Sequence, residues 1–379
     1  MPHNPAIRNL IILRPDNLGD IVLFSGSLRH IRDIYPKSNF TLIVKRSNTN
    51  LLSLCPYIDR LDEWEKLSSL PLAWLPEFRG KYRLNQFVRH LLNKKYRTDI
   101  VLLPVRSPTG DLLGMHDIIS SIPANQKIGI AGDYCNQTVE EDKKADRLYS
   151  RRMRLKGNHE KSHELEINRD FLRFLGADVE ISDIWPEFWT DEKDSEWARN
   201  TVPVDKTAIT LAICPGVTSS HGKFYHAVRY AEVFDFLKDL QFSIVLFSSP
   251  AEKSMCTDVG NSLTPCDNIK SIIYLSGQST IRQLIEGIKQ CDIVISLETG
   301  SLHIAVALKK PTVGIMGGGH FGRFYPWGNK KINRTANKTM DCYWCNWHCI
   351  YPTIRCIQEI EPEIIARELR AALSEAGVI

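Results

Sequence analysis

Short apolar runs alternate with amphipathic segments along the chain. Each run is continuous rather than alternating, which is typical of a strand buried on both faces of a parallel sheet. The predicted strands are residues 9–14, 40–44, 99–104, 127–131, 208–213, 243–247, 292–296 and 311–316. Segments with apolar residues every three or four positions separate them, as helices do. The pattern predicts an α/β fold built from βαβ units.

The predicted helices carry recognisable ends. The first opens at Asp20 and runs as one helix to Pro36, which stops it. Another begins at His163 and closes at Gly176, a C-cap glycine. The last ends near Gly377. On local evidence Asp20 is interpreted as a helix N-cap, and a carboxylate that projects above the sheet is the alternative.

The stretch around residues 291–319 is a complete strand–turn–helix–strand unit. Its turn reads Glu298-Thr299-Gly300-Ser301, and the following helix begins there. The first N–H groups of a helix and the helix dipole together favour an anion. Ligands of open α/β sheets bind beyond the carboxyl ends of the strands. We therefore predict a phosphate-bearing ligand at residues 299–301.

Two further loops follow predicted strands. Residues 214–223 contain small residues and hydroxyls and end in Lys223, a combination suited to a diphosphate, although a flexible surface loop is the alternative. Residues 317–322 match G-x-G-x-x-G. Pro326 and Gly328 interrupt the helix that a dinucleotide motif requires, so we interpret this segment as a glycine-rich loop.

The composition indicates the class of protein. The 379 residues are 43% hydrophobic and 24% charged, with a net charge of +4. These values fit a globular protein of two domains, for which we predict 1–190 and 191–379. No transmembrane run or signal peptide is predicted, so we expect a cytoplasmic protein. The basic stretch 79–97 predicts an amphipathic helix for a peripheral inner-membrane contact or an acidic substrate, with a solvated charged helix face as the alternative. The basic stretches 79–97 and 143–156 also leave nucleic-acid binding as an alternative.

Four of the ten cysteines are clustered near the C-terminus. They are Cys342, Cys345, Cys349 and Cys356. Four thiolates at this density suit one tetrahedral zinc or iron ion, and full coordination makes its role structural. Unligated or partly oxidised thiols are the alternative. We predict a metal knuckle over residues 342–356, followed by a closing helix.

Several of these blocks together resemble glycosyltransferase family 9, the ADP-heptose heptosyltransferases of lipopolysaccharide assembly and their relatives. The blocks are residues 13–22 with 27–29, 163–176, 215–223 and 298–305. The resemblance implies a GT-B fold, with two Rossmann-like domains facing each other across a cleft. It also implies that the N-terminal domain takes the acceptor and the C-terminal domain takes the nucleotide sugar.

The resemblance also assigns site residues. Asp20 matches the general base, which reverses the local interpretation as a cap. The donor diphosphate and donor turn are matched by Thr218, Ser219, Lys223, Thr299, Gly300 and His303, to which our own analysis adds Glu298 and Ser301. The family often has Asp at position 298 and Trp at position 224, where this chain has Glu298 and Phe224. Only a subset of relatives has the cysteine cluster.

The implied reaction is an inverting transfer of heptose from ADP-heptose to an acceptor hydroxyl. Asp20 would remove the acceptor proton. Lys223 and the helix N-termini would stabilise the leaving ADP, so no catalytic metal is expected. The acceptor is a lipopolysaccharide-type saccharide or a protein, and nucleic acid is not an expected partner. The alternatives are another nucleotide sugar, a non-catalytic sugar-nucleotide-binding protein, and a nucleotide-sugar epimerase, whose extra paired carboxylates are not found.

Overall fold

The computed structural model describes residues 7–68, 88, 91–106, 115–135, 137–155, 161–202, 205, 207–217 and 222–379. The chain forms two compact units. The first comprises Met1–Asn17 and Phe24–Pro186, and the second comprises Leu18–Leu23 and Glu187–Ile379. Each unit contains a six-stranded sheet whose neighbouring strands are parallel. The predicted α/β class is confirmed.

The first sheet has the strand order β3-β2-β1-β4-β5-β6. Its strands are β1 (Asn9–Arg14), β2 (Asn39–Val44), β3 (Arg60–Glu63), β4 (Thr98–Leu103), β5 (Ala124–Ala131) and β6 (Arg151–Arg154). The helices of this half of the chain whose bounds lie within the described residues are α1 (Leu18–Ser25), α2 (Ser27–Ile34), α3 (Thr49–Leu52), α4 (Trp64–Ser68), α5 (Met115–Ser121), α6 (Val139–Ala145) and α7 (Glu164–Leu175).

The second sheet has the strand order β12-β11-β10-β7-β8-β9. Its strands are β7 (Ile209–Cys214), β8 (Phe242–Leu246), β9 (Ile269–Tyr274), β10 (Ile293–Leu297), β11 (Thr312–Met316) and β12 (Asn333–Asn337). Its helices are α8 (Glu192–Thr201), α9 (Ala227–Asp235), α10 (Lys253–Leu263), α11 (Ile281–Gln290), α12 (Gly300–Ala307), α13 (Arg355–Gln358) and α14 (Pro362–Glu375).

One predicted feature is corrected, and elements appear in two stretches for which none was predicted. The single helix from Asp20 is two helices, because the backbone at Gly26 lies against the carbonyls of Ile184 and Trp185, where no side chain fits. The region 183–205, which shows no clear period, contains α8. The polar segment 329–339 contains the edge strand β12.

The register of the second sheet shows where the three predicted ligand loops begin. Ser296 on β10 pairs with Cys214 on β7, and Leu297 pairs with Ile315 on β11. Because the strands are parallel, the loops that follow β7, β10 and β11 all leave from the same edge of the sheet. The strands β7, β10 and β11 are fully buried, and burial of each Ile or Val side chain contributes about 1.5–3 kcal/mol to the stability of the fold. The sheet is therefore a rigid base for these loops.

Among the described residues, none of the helices is both long enough and apolar enough to cross a bilayer. The basic segment 79–97 lies mostly outside the described residues, so the predicted amphipathic helix is not described.

Candidate functional site

The turn after β10 presents the start of α12 with its N–H groups available. Thr299 is the N-cap in an extended conformation, and its side chain makes no capping hydrogen bond. The backbone N–H of Leu302 donates to the Thr299 carbonyl at 3.1 Å, which begins the helix. The first-turn N–H groups can therefore donate to a bound anion instead of to a side-chain cap. Ser301 reaches the buried Cys214 thiol with its hydroxyl.

Glu298 holds a carboxyl group in an unusual environment at this turn. Its Oε1 atom is buried and has no hydrogen-bond partner within the described part of the chain. Burial raises the pKa of Glu298 to about 8. The positive charge of Lys223 opposes this rise, and the negative charge of Asp20 adds to it. These electrostatic effects place Lys223, Glu298 and Asp20 in one neighbourhood.

Two glycines let α1 approach α12 closely. A Cβ atom on Gly300 would run into the side chain of Leu18, and a Cβ atom on Gly19 would lie 2.9 Å from Cδ2 of His303. This packing brings the half-buried Asp20 to the turn at residues 298–301. The N-cap of α1 is Asn17, and Asp20 lies in the first turn of the helix. The interpretation of Asp20 as the N-cap was therefore wrong, because Asn17 occupies that position.

His303 is buried behind the turn rather than exposed at it. Only 3% of the residue is accessible. The indole Nε1 of Trp327 donates to Nδ1 of His303 at 3.0 Å, and the two rings are stacked. Because an indole N–H can only donate, Nδ1 of the neutral imidazole is the acceptor and Nε2 carries the proton. The ring is thereby fixed against Gly19.

The loop after β7 is anchored on both sides of its undescribed part. Gly216 lies against the carboxylate of Glu252, and a Cβ atom there would collide with it. Gly222 has a φ of 69°, and its carbonyl accepts from Nε2 of Gln358 at 3.0 Å. The half-buried Lys223 follows directly. The other two predicted phosphate ligands, Thr218 and Ser219, lie outside the described residues.

The glycine-rich loop after β11 is not followed by a helix, as predicted. Its glycines instead lie against aromatic rings of the cysteine segment. Side chains at Gly318 and Gly319 would collide with the rings of Tyr343 and Trp347 respectively, and one at Gly317 would lie 2.8 Å from Cη2 of Trp347. The glycines are therefore needed for close packing, a role different from pyrophosphate binding.

The four clustered cysteines are free thiols. Across the described residues, which include all of 342–356, no three His, Cys, Asp or Glu side chains are arranged to hold a metal ion. Two sulfurs contact backbone groups instead: Gly318 N–H donates to Cys356 Sγ at 3.4 Å, and Cys349 Sγ lies 3.8 Å from the Thr353 carbonyl. The expected tetrahedral arrangement is therefore not formed in the structure, and a metal here remains a prediction.

Sequence reasoning missed three residues that shape the site. Leu18 and Trp327 act through close packing and one hydrogen bond, which leave no motif in the sequence. Trp347 lies with its ring 3.9 Å from Nζ of Lys223, measured to the ring centroid. Its only sequence signal is its place between Cys345 and Cys349 in a segment we interpreted as purely structural.

Comparison with known proteins gives a family and curated relatives. The model of "Glycosyltransferase family 9 (heptosyltransferase)" matches residues 139–345. Lipooligosaccharide heptosyltransferase 2 of Campylobacter jejuni is 26% identical over 161 residues, covering 42% of this chain and 50% of the relative. The match thus spans about half of that relative's length. Lipopolysaccharide core heptosyltransferase OpsX of Haemophilus influenzae is 23% identical over 82% of this chain and 79% of its own.

Solved structures share the fold. A glycosyltransferase family 9 protein from Veillonella parvula has a TM-score of 0.72 at 16% identity, covering 98% of both chains. E. coli ADP-heptose lipopolysaccharide heptosyltransferase II has a TM-score of 0.68 at 16% identity, covering 97% of this chain and 99% of its own. The iron-containing dodecameric glycosyltransferase TibC of enterotoxigenic E. coli has a TM-score of 0.52 at 12% identity, covering 98% and 76%. The neighbours support the expected GT-B type of fold, and because the family model matches more than half of the residues, this chain belongs to glycosyltransferase family 9.

Proposed function

We propose that the protein is an inverting glycosyltransferase that moves heptose from ADP-heptose to an acceptor hydroxyl. The observation that carries this proposal is the packing of α1 on α12, which brings Asp20 beside Glu298 at the donor turn. A base, a cation and free helix N–H groups are then close together. Membership of the family and the printed names of the relatives support heptose as the sugar.

In the proposed reaction, the Asp20 carboxylate accepts the proton of the acceptor hydroxyl. The acceptor oxygen forms a bond to the anomeric carbon from the face opposite the leaving group. The bond from that carbon to the phosphate oxygen breaks, and ADP leaves with the electron pair. The ammonium of Lys223 and the first N–H groups of α12 stabilise the negative charge that develops on ADP.

Replacing Asp20 tests the base. Asp20→Asn keeps the shape of the side chain but cannot take a proton, so turnover should fall by roughly 10²–10⁴-fold while ADP affinity changes little. Single-turnover assays with ADP-heptose and calorimetry with ADP measure the two quantities. Asp33→Asn, at an exposed position on α2, is the matched control and should keep wild-type turnover. Near-normal turnover in Asp20→Asn would remove Asp20 from the mechanism.

The alternative that the donor is another nucleotide sugar rests on Glu298. It stands where the family often has Asp and is longer by one methylene. The shift of melting temperature with ADP-heptose, ADP-glucose and UDP-glucose discriminates the donors, because a ligand stabilises the protein by mass action. A larger shift with another nucleotide sugar than with ADP-heptose would refute the heptose assignment. Binding without turnover on any acceptor would favour the non-catalytic alternative.

The acceptor is proposed to bind the N-terminal domain (1–190), with the nucleotide sugar in the C-terminal domain (191–379). Two acceptor classes are compared directly, a core oligosaccharide and a polypeptide with serine and threonine hydroxyls. Transfer of labelled sugar to one of them identifies the class. Co-sedimentation with anionic vesicles tests the peripheral membrane contact, for which the basic segment 79–97 is the candidate.

We also propose one structural zinc or iron at Cys342, Cys345, Cys349 and Cys356. Burial is the main cause that raises the pKa of Cys356, and the charges of Cys349, Cys342 and Cys345 add to the rise, so the four thiols lie near one another. Trp344, Asn346 and Trp347 have positive φ angles, so the chain winds tightly between the first and third cysteines. Four thiolates are a donor set that structural tetrahedral ions use. The neighbour TibC is iron-containing.

Metal content tests this part separately. Protein purified without added metal should contain about one zinc or iron per chain. Cys345→Ser should lower the metal content and the melting temperature, because metal-binding energy becomes folding energy in such a segment. Cys266→Ser, at a half-buried cysteine outside the cluster, is the control. Metal-free protein with unchanged stability would contradict the proposal.

A further inference from the structure

Trp347 connects two loops of the donor region. The face of its indole lies 3.9 Å from the Lys223 ammonium, within the range of a cation–π contact. Its ring packs against the glycines at 317 and 319. Its Nε1 donates to Nδ1 of His320 at 3.2 Å. The side chain thus contacts both the loop that carries Lys223 and the loop that follows β11.

The position of the ring is fixed from both sides. Because Nδ1 of His320 accepts from Trp347, the proton of the neutral imidazole is on Nε2, which donates to Oδ1 of Asn346. The backbone N–H of Asn346 donates to the carbonyl of Gly319 at 3.2 Å. Trp347 itself has a φ of 62°, which a bulky residue seldom adopts without such contacts. The indole face is therefore held in one orientation towards Lys223.

We propose that Trp347 is a positioning residue for the donor diphosphate, because it holds the Lys223 ammonium in the place where the phosphates bind. This inference rests on the proposed function, since it needs Lys223 to be a donor ligand. A free lysine side chain has many rotamers and loses that freedom when it binds an anion. The indole face restricts the side chain before the donor arrives, so less freedom is lost on binding.

This gives the cysteine segment a second role. Trp347 stands two residues from both Cys345 and Cys349. Whatever fixes these thiols also fixes the ring, and the ring fixes Lys223. The segment is then part of the donor site through one aromatic contact, in addition to any contribution to folding.

A double-mutant cycle on ADP affinity tests the proposal. ADP binding is measured by calorimetry for wild type, Lys223→Ala, Trp347→Leu and the double variant. Trp347→Leu should weaken ADP binding by about tenfold, whereas Trp347→Phe, which keeps an aromatic face, should stay within about threefold of wild type. In the Lys223→Ala background, Trp347→Leu should have no further effect, since the contact is already absent.

The controls separate positioning from folding. Trp344→Leu changes a tryptophan of the same segment whose ring lies by Gly322, and it should keep wild-type ADP affinity. If Trp347→Leu does not fold, Trp347→Met replaces it. Equal weakening by the Trp347 change with and without Lys223 would show a purely structural role and overturn the inference. If ADP affinity is unchanged in Trp347→Leu but weakened in Lys223→Ala, the positioning role of Trp347 is overturned and the donor lysine stands. Unchanged affinity in Lys223→Ala would instead refute the donor lysine of the proposed function.

Discussion

Glu298 and Lys223 are two ionisable side chains of opposite sign at one turn. Burial raises the pKa of Glu298 and lowers the pKa of Lys223, and each charge opposes the shift of the other. In the proposed complex a diphosphate would favour the charged lysine and the neutral carboxylic acid, which can donate a hydrogen bond. The residue types at this turn were predictable from the sequence. Their altered protonation was not, because it depends on burial and on Asp20, which is distant in sequence.

Glu298→Gln should therefore change how stability depends on pH. The folded pKa of about 8 lies above the usual value of 4.5, so the folded state holds the proton where the unfolded state releases it. The contribution of Glu298 to stability is fully present below about pH 4.5 and is lost as the pH rises to about 8. Without a titrating group, Glu298→Gln should be more stable than wild type at pH 8 by on the order of 4 kcal/mol.

Urea unfolding at pH 5 and at pH 8 measures this difference. The advantage of Glu298→Gln should be small at pH 5 and larger at pH 8. Glu232→Gln, at an exposed position on α9, should show the same small effect at both values. A variant less stable than wild type at pH 8 would mean that Glu298 is ionised and paired in the folded protein.

At the scale of elements, the contact of α1 with α12 decides where Asp20 lies. The family resemblance predicted the role of Asp20 from a local block, whereas the periodicity placed the start of the helix at the wrong residue. The helix begins at Leu18, and it ends at Ser25 because Gly26 approaches backbone carbonyls from another part of the chain. A hydrophobic period does not contain such a contact, so the break could not be predicted from it.

Gly300→Ala tests this helix contact. The added methyl group meets the side chain of Leu18 and should push α1 away from the turn, at a cost of about 1–3 kcal/mol for overpacking. Turnover should fall by roughly tenfold or more, since small displacements of a catalytic group slow the reaction. ADP affinity should fall less, because Lys223 is not displaced. Single-turnover rates and ADP calorimetry measure both quantities.

The matched rescue variant is Gly300→Ala with Leu18→Ala, which removes the colliding side chain. The double variant should recover part of the lost turnover, while Leu18→Ala alone should lose stability. No recovery would show that Gly300 is needed for its backbone next to the donor rather than for the approach of α1.

At the scale of the whole molecule, most strands were predictable because a buried parallel strand is a local apolar run. The edge strand β12 was not, since it pairs with β11 alone and its sequence NRTAN is polar. The role of the basic stretch 143–156 also needed the structure. Arg152 is buried and ion-paired with Asp142 and Asp146, and Arg154 also pairs with Asp146.

These ion pairs lead to a prediction about nucleic acid. Because the pairs neutralise arginines of the 143–156 stretch, we expect it to add little to the attraction of a polyanion, and the net charge of +4 is small. Duplex DNA should therefore bind weakly and be released by about 0.2 M salt, which fluorescence anisotropy across a salt series measures. If DNA stays bound at that salt concentration, and if Arg151→Gln at an exposed position on β6 weakens the binding, the nucleic-acid alternative is restored.

The assignment of Leu18–Leu23 to the second unit has a consequence for the order in which the protein is made. Gly19 leaves the ribosome early, whereas its contact His303 follows only after most of the chain has been translated. At about 5–20 residues per second, the segment carrying Asp20 waits on the order of 15–60 s for its packing partner. A chain released early can fold its first sheet, but it has no donor turn on which to place the carboxylate. The proposed activity then begins only with nearly complete chains, so truncated products do not consume the donor.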